Sequence, residues 1–199
     1  MKYPSGIKLN ATKNITYANR GMTLEEDINL TNAYYIEKNI AFIYKKPTPI
    51  QVIKVDYSKN SAIIKEAYFK EPSTTDYNGL YKGKYIDFDA KETESKTAFP
   101  IKNIHNHQIN HIKNIIENNG IGFLIIRFNK LNKTYLLEGK DLISFINNNE
   151  RKSIPLTFFE EHAYLIEEKY IPRVDYLKVV DSIIGGIKNE IKKEREKNK

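Results

Sequence analysis

The run Tyr85-Ile86-Asp87-Phe88-Asp89-Ala90-Lys91 constrains the fold of this chain more than any other stretch. Apolar and charged residues alternate with a period of two, and in a strand successive side chains leave opposite faces. Ile86, Phe88 and Ala90 therefore project to one side of a sheet, while Asp87, Asp89 and Lys91 share the other. That charged side is costly to build, because neighbouring carboxylates repel and drift towards protonation unless a cation or solvent relieves them. Magnesium suits such a place: it prefers hard oxygen ligands and binds through one or two carboxylates plus a substrate phosphate. A lysine two residues beyond a ligand then sits near that phosphate, where it can stabilise transition-state charge or orient an attacking water. The chemistry that unites these residues is metal-dependent phosphodiester cleavage. A plainer reading stays open beside it, an exposed amphipathic strand on which Asp89 and Lys91 pair in solvent.

Around this strand the pattern is mixed. Thr23 and Glu26 have the spacing of a capping box, and Leu24, Ile28, Thr31 and Tyr35 recur at helical intervals behind them. Ala41 to Lys45, Ile50 to Tyr57 and Ala62 to Phe69 read as strands, with Pro47 and Pro49 separating the first two, and Lys82-Gly83-Lys84 turns the chain into the acidic strand. His105 to Asn118 reads as a helix closed by Gly120. Ile121 to Phe128 and Tyr135 to Glu138 read as sheet, and Asp141 to Asn148, Glu160 to Glu168 and Asp175 onward as helices. Strands mixed with helices and no internal repeat indicate one α/β domain spanning 1–199.

Within the helix after His105, Ile104, Gln108, Ile112 and Ile115 share one face, so a polar amide interrupts an apolar stripe. Burying that amide without partners costs roughly 1–3 kcal/mol, so backbone, water or a metal shell must satisfy it. His107 and His111 have zinc-compatible spacing, but no third ligand accompanies them, and they are assigned to DNA or solvent contact instead. From Lys65 to Tyr85, cations and aromatics interleave through Tyr68, Phe69, Lys70, Tyr77, Tyr81, Lys82 and Lys84. Lysines there can neutralise phosphates and rings can stack on exposed bases, although a hairpin packing its own aromatics gives the same pattern.

Composition agrees with a polyanionic partner: the net charge is +7. Part of the lysine excess accompanies a general abundance of Asn, Lys and Ile and carries less weight. No apolar run approaches the roughly 20 residues that span a bilayer, the first residues lack a secretory apolar core, and cysteine is absent. The expectation is a cytoplasmic protein with no membrane association.

Asp76 followed by Asp89-Ala90-Lys91 resembles the PD-(D/E)xK nuclease pattern. The longer strings Asn19-Arg20-Gly21-Met22-Thr23-Leu24-Glu25-Glu26, Pro72-Ser73-Thr74-Thr75-Asp76-Tyr77-Asn78-Gly79, Tyr85-Ile86-Asp87-Phe88 and Ala90-Lys91-Glu92-Thr93 resemble the RecU family of Holliday junction resolvases. The similarity runs from about Tyr17 to the helix near Tyr176. It implies a restriction-endonuclease-like mixed central sheet flanked by helices, with a projecting DNA-binding stalk hairpin at roughly 59–82. A flexible N-terminus at 1–16 and a basic tail at 188–199 complete the expected layout.

The resemblance also implies function. Magnesium, with manganese as a substitute, falls on Thr74, Asp76, Asp89 and Gln108, and the transition-state lysine falls on Lys91. Family members usually carry glutamate where this chain has Asp89. Glu25 is an auxiliary candidate, because in nucleases of this broad fold an acid from the first helix approaches the metal; Asp87 is a second, beside the ligands. Arg20, Lys70, Tyr77, Tyr81, Lys82 and Lys84 are the expected DNA contacts. The implied activity is symmetric, metal-dependent nicking of four-way junctions in recombination and repair, leaving 5′-phosphate ends. A homodimer is implied, to which the stripe Leu177, Val180, Ile184, Ile187 and Ile191 can contribute, packing within its own subunit being an equal alternative, with a recombinase and a branch-migration helicase as partners. Two rival classes remain: a noncatalytic branched-DNA-binding regulator and a restriction or repair nuclease that cuts plain duplex.

Overall fold

The computed structural model describes residues 23–59, 61–70 and 74–185. The segments 1–16 and 188–199, together with Arg20, Ile187 and Ile191, lie outside the described residues.

Thr23 opens helix α1 (Leu24–Glu37) as its sequence predicts. Its hydroxyl accepts from the Glu26 N–H, and the Glu26 carboxylate accepts from the Thr23 N–H at 2.9 Å. Reciprocal caps of this kind satisfy two donors that a helix start leaves unpaired. Leu24, Ile28, Thr31 and Tyr35 are all buried along one stripe of the helix. The chain continues through β1 (Phe42–Lys45), β2 (Ile50–Lys59), β3 (Ser61–Phe69), β4 (Tyr77–Tyr81), β5 (Lys84–Thr93) and β6 (Ala98–Pro100). Then come α2 (Asn106–Glu117), β7 (Ile121–Phe128), β8 (Lys133–Glu138), α3 (Gly139–Asn148), β9 (Ser153–Pro155), α4 (Leu156–His162), β10 (Tyr164–Ile166) and α5 (Tyr176–Ile184).

Six of the strands form one mixed sheet in the order β1-β4-β5-β7-β8-β10. β5 and β7 lie in its middle and run parallel, the connection between them passing through α2, whereas the other neighbours pair antiparallel. The turn from β4 to β5 has two residues, Lys82 and Gly83, both at positive φ (48° and 73°). Such turns match the twist of the strands they join, and Lys82 adopts there a conformation that favours glycine.

Both faces of the sheet are covered, so the expected α/β class with a mixed central sheet flanked by helices is what the chain adopts. On one face Ile86, Phe88, Phe123 and Ile125 pack with α1 and with Tyr176, Leu177 and Val180 of α5. Phe88 stacks between Tyr77 and Phe123, with ring centroids 4.9 and 4.8 Å away and planes within 8° of parallel. On the other face Leu124, Ile126 and Phe128 pack with Ile112 of α2, Leu142 and Phe145 of α3 and Phe159 of α4. Gly79 of β4 has no room for a side chain, since a Cβ would lie 2.1 Å from the Phe42 carbonyl oxygen of β1.

Four expectations need correction. The charged side of β5 is not a solvent surface: Asp87 and Asp89 are both 0% exposed, because α2 and its neighbours close over that face. The hairpin expected at 59–82 falls earlier. β2 and β3 pair with each other in a separate two-stranded sheet, whereas 77–81 is β4 inside the main sheet. The predicted helix over Glu160 to Glu168 is instead the end of α4 followed by β10, which pairs with β8 at the sheet edge. Finally, Leu177 and Val180 are buried within their own subunit, and only Ile184 of the described stripe is exposed.

Candidate active site

The pairing of β4 with β5 sets the site. Tyr77 lies opposite Phe88 and Asn78 opposite Asp87, so the next position outward along that register sets Asp76 opposite Asp89. Like charges facing each other across a strand pair are unfavourable unless one is neutralised. Asp89 shows the consequence. Burial pushes its carboxyl up to about 7, Lys91 pulls the other way, and the neighbouring Asp76 adds to the rise. One Asp89 oxygen, Oδ1, accepts from the Ala90 N–H at 2.8 Å. The other, Oδ2, is buried and is ion-paired with Lys91 Nζ at 3.2 Å, outside good hydrogen-bond geometry. A buried carboxylate oxygen held by such an ion pair, beside a second carboxylate, fits a divalent cation, whose charge would relieve both. Among the described residues no three His, Cys, Asp or Glu side chains form a ready cage. Two carboxylates with waters and phosphate completing the shell is the arrangement typical of magnesium rather than zinc.

Asp87, on the same strand face, is fully engaged by protein. Its Oδ2 accepts from Lys46 Nζ at 2.8 Å and from the Tyr85 hydroxyl at 3.0 Å, and His111 Nε2 stands 3.2 Å away. Its Oδ1 accepts from the Thr75 hydroxyl. The auxiliary candidate thus holds protein groups rather than an open cation site. His111, assigned to DNA or solvent, belongs to this cluster.

Thr74 and Asp76 are half-buried and line a cleft of about 270 Å³ with Glu25, Lys45, Lys46 and the Pro47-Thr48-Pro49 segment. Glu25 is therefore brought to the mouth of the site, where its carboxylate pairs with Lys45. The Thr74 hydroxyl donates to the Thr75 carbonyl at 3.2 Å. Gln108 is buried on α2, three residues before His111, and its Oε1 accepts from the His105 N–H at 3.1 Å, closing the start of the helix. Backbone capping thus engages the amide oxygen that breaks the apolar stripe.

The expected DNA contacts divide. Tyr77 and Tyr81 are core residues, 0% and 6% exposed, with their hydroxyls held by Asn29 and Asp181, so neither offers a ring to a base. Lys82 pairs with Asp181 at 2.6 Å, fastening the β4–β5 turn to α5. Lys84 and Lys70 are exposed, and the Lys70 N–H closes the foot of the β2–β3 hairpin on the Pro49 carbonyl at 3.0 Å. Arg20 lies outside the described residues. Lys46, Thr75 and His111 form the part of the site that sequence reasoning missed. Lys46 is one of 32 basic residues, and its partner Asp87 is 41 positions away. Among the described residues no helix is long and apolar enough to cross a membrane.

The chain matches the family described as Recombination protein U, RecU, over residues 19–182. The Holliday junction resolvase RecU of Geobacillus kaustophilus (strain HTA426) is 55% identical over 194 residues, covering 92% of this chain and 97% of the relative. The protein of the same name from Bacillus cereus (strain G9842) is 51% identical over 195 residues, covering 92% and 98%. A solved structure of Archaeoglobus fulgidus Hjc, a Holliday junction resolvase from an archaeal hyperthermophile, aligns at a TM-score of 0.38 and 8% identity. It covers 68% of this chain and 86% of its own, and nothing is carried over from so slight a likeness.

Proposed function

The chain belongs to the RecU family, and from that premise we propose that it is a Holliday junction resolving endonuclease that makes symmetric nicks in four-way DNA during recombination and repair. The observation that carries this reading is the buried Asp89 carboxyl, set beside Asp76 and ion-paired through Oδ2 with Lys91 Nζ at 3.2 Å. Asp76 and Asp89 would hold magnesium, or manganese in its place, with Thr74 and Gln108 completing its surroundings. Bound there, the ion supplies Lewis-acid polarisation of the scissile phosphate and of an attacking water.

The chain's own groups do the rest. Lys91, fixed by its pairing with Asp89, presents a positive charge where the phosphate gains negative charge in the transition state. Its side chain keeps 18% exposure, so it is not sealed in the core. The water oxygen bonds to phosphorus as the bond to the 3′ oxygen breaks, leaving a 5′-phosphate and a 3′-hydroxyl. The cleft between Glu25 and Asp76 gives the strand its way in, with Lys45 at its edge. Two opposed strands must be cut, so the working unit is a two-fold homodimer whose two sites match the symmetry of the junction. Acting on chromosomal DNA, it works in the cytoplasm beside a recombinase and a branch-migration helicase.

The deciding experiment is strand-mapped cleavage of an end-labelled mobile four-way junction beside a matched linear duplex, with and without magnesium. Paired nicks at symmetric positions that need metal and intact Asp76 are the expected result. Junction binding without nicks would replace this reading with a noncatalytic regulator, and equal cutting of the duplex with a restriction or repair nuclease.

A further inference from the structure

Asp87 is a buried carboxylate that the proposed reaction does not use, yet four groups from different parts of the chain converge on it: Lys46, Thr75, Tyr85 and His111. Burying an ion pair gains little stability over apolar packing of similar volume, so a cluster of this kind has to be accounted for by the geometry it fixes. Here that geometry concerns the segment between Thr74 and Asp76. Thr75 is 2% exposed, and its hydroxyl is pinned from two sides, donating to Asp87 Oδ1 and accepting from Lys46 Nζ at 3.0 Å. One residue on, the Asp76 carbonyl accepts from the backbone N–H of the same Lys46 at 2.7 Å. Lys46 follows directly after β1, so its own place is set by the sheet edge. Lys46 thus holds two successive residues, Thr75 by its hydroxyl and Asp76 by its backbone carbonyl.

We infer that Lys46 is a positioning residue for the active site, acting through Thr75 and Asp87 to hold Asp76 opposite Asp89. The inference rests on reading Asp76 and Asp89 as the metal-holding pair. Lys46 touches neither metal nor phosphate in this role. It fixes the backbone that carries a ligand, and loss of such outer contacts weakens metal affinity by about 10–100-fold. Tyr85 and His111 hold the far side of the Asp87 carboxylate, so that it cannot swing from Thr75 towards the cation.

The test uses the full chain and compares the wild type with Lys46→Met, Thr75→Val and Thr75→Ser. Calorimetric binding of manganese without DNA is one readout, and the magnesium dependence of junction cleavage is the other. Lys46→Met and Thr75→Val should each weaken manganese binding about tenfold or more, whereas Thr75→Ser, which keeps the hydroxyl, should stay within about twofold of wild type. The magnesium needed for half-maximal cleavage should rise in step, with the rate at saturating metal changed much less. If Lys46→Met does not fold, the contrast between Thr75→Val and Thr75→Ser decides the matter alone, since valine keeps the shape of threonine. Wild-type affinity in Thr75→Val, or a Thr75→Ser variant as weak as Thr75→Val, overturns the positioning role while leaving the nuclease reading intact. A wild-type chain that neither binds manganese nor cuts junctions overturns both.

Discussion

Replacing Asp89 by asparagine removes the charge of a fully buried carboxyl while keeping its shape. Asp89 is 0% exposed, and its carboxyl is pushed from 3.8 in the absence of the fold up to about 7. Below about pH 3 the group is largely protonated in both folded and unfolded chains and imposes no penalty. As the pH rises the unfolded chain ionises first, while the folded chain keeps its proton until about 7. This contribution to stability is therefore present at low pH and lost between about pH 4 and pH 7. The gap between the two values corresponds to about 4 kcal/mol at pH 8. The amide of the Asp89→Asn variant cannot titrate, so urea unfolding in EDTA should show the wild type losing about 2–3 kcal/mol relative to the variant between pH 5 and pH 8, the rest of the penalty having set in below pH 5. Magnesium at pH 8 should return about 2.7 kcal/mol to the wild type at a hundred times its dissociation constant, and little to the variant. A stability difference that stays flat with pH, or equal magnesium stabilisation of both proteins, would refute the assignment of Asp89 as a strained, cation-relieved carboxyl.

Further outcomes follow from the same geometry. Asp76→Asn should nearly abolish cleavage while gel-shift affinity for the junction is kept, because it removes a ligand charge and leaves the basic surface; wild-type turnover would count directly against the site. Lys91→Met should lower the rate at saturating metal by about 10²–10³-fold, the effect of losing one transition-state donor, without weakening manganese binding in calorimetry. Asp89→Glu should keep cleavage but cost about 1–3 kcal/mol in urea unfolding, since the extra methylene enters a fully buried place. Gly79→Ala should cost at least about 2 kcal/mol by the same measurement, since its Cβ meets the β1 backbone rather than a movable side chain.

The acidic strand was legible because a period of two is read directly from the residues, and the Thr23 cap because its partner lies three positions away. Asp76 was legible only through family resemblance, since the register that brings it opposite Asp89 depends on the turn at Lys82 and Gly83. What escaped was decided at long range. Asp87 looked like a surface acid because nothing local announces that α2 will cover it. Tyr77 and Tyr81 looked like stacking platforms because an aromatic among lysines serves a core or a nucleic acid equally well, and only Phe88 on one side and Asp181 on the other settle the question. Glu160 to Glu168 read as a helix from its acidic, apolar mixture, but β8 offered Tyr164–Ile166 an open edge to pair with. Tertiary pairing outweighs propensity in so short a segment.

The hairpin of β2 and β3 stands apart from the main sheet, yet it is rooted at the site. Its first strand leaves the sheet just after Lys46, and its second returns towards Thr74, with the Lys70–Pro49 and Lys46–Asp76 backbone bonds as two rungs at its foot. One of those rungs ends on Asp76 itself, so the arm and the acid opposite Asp89 share a single footing at the end of β1.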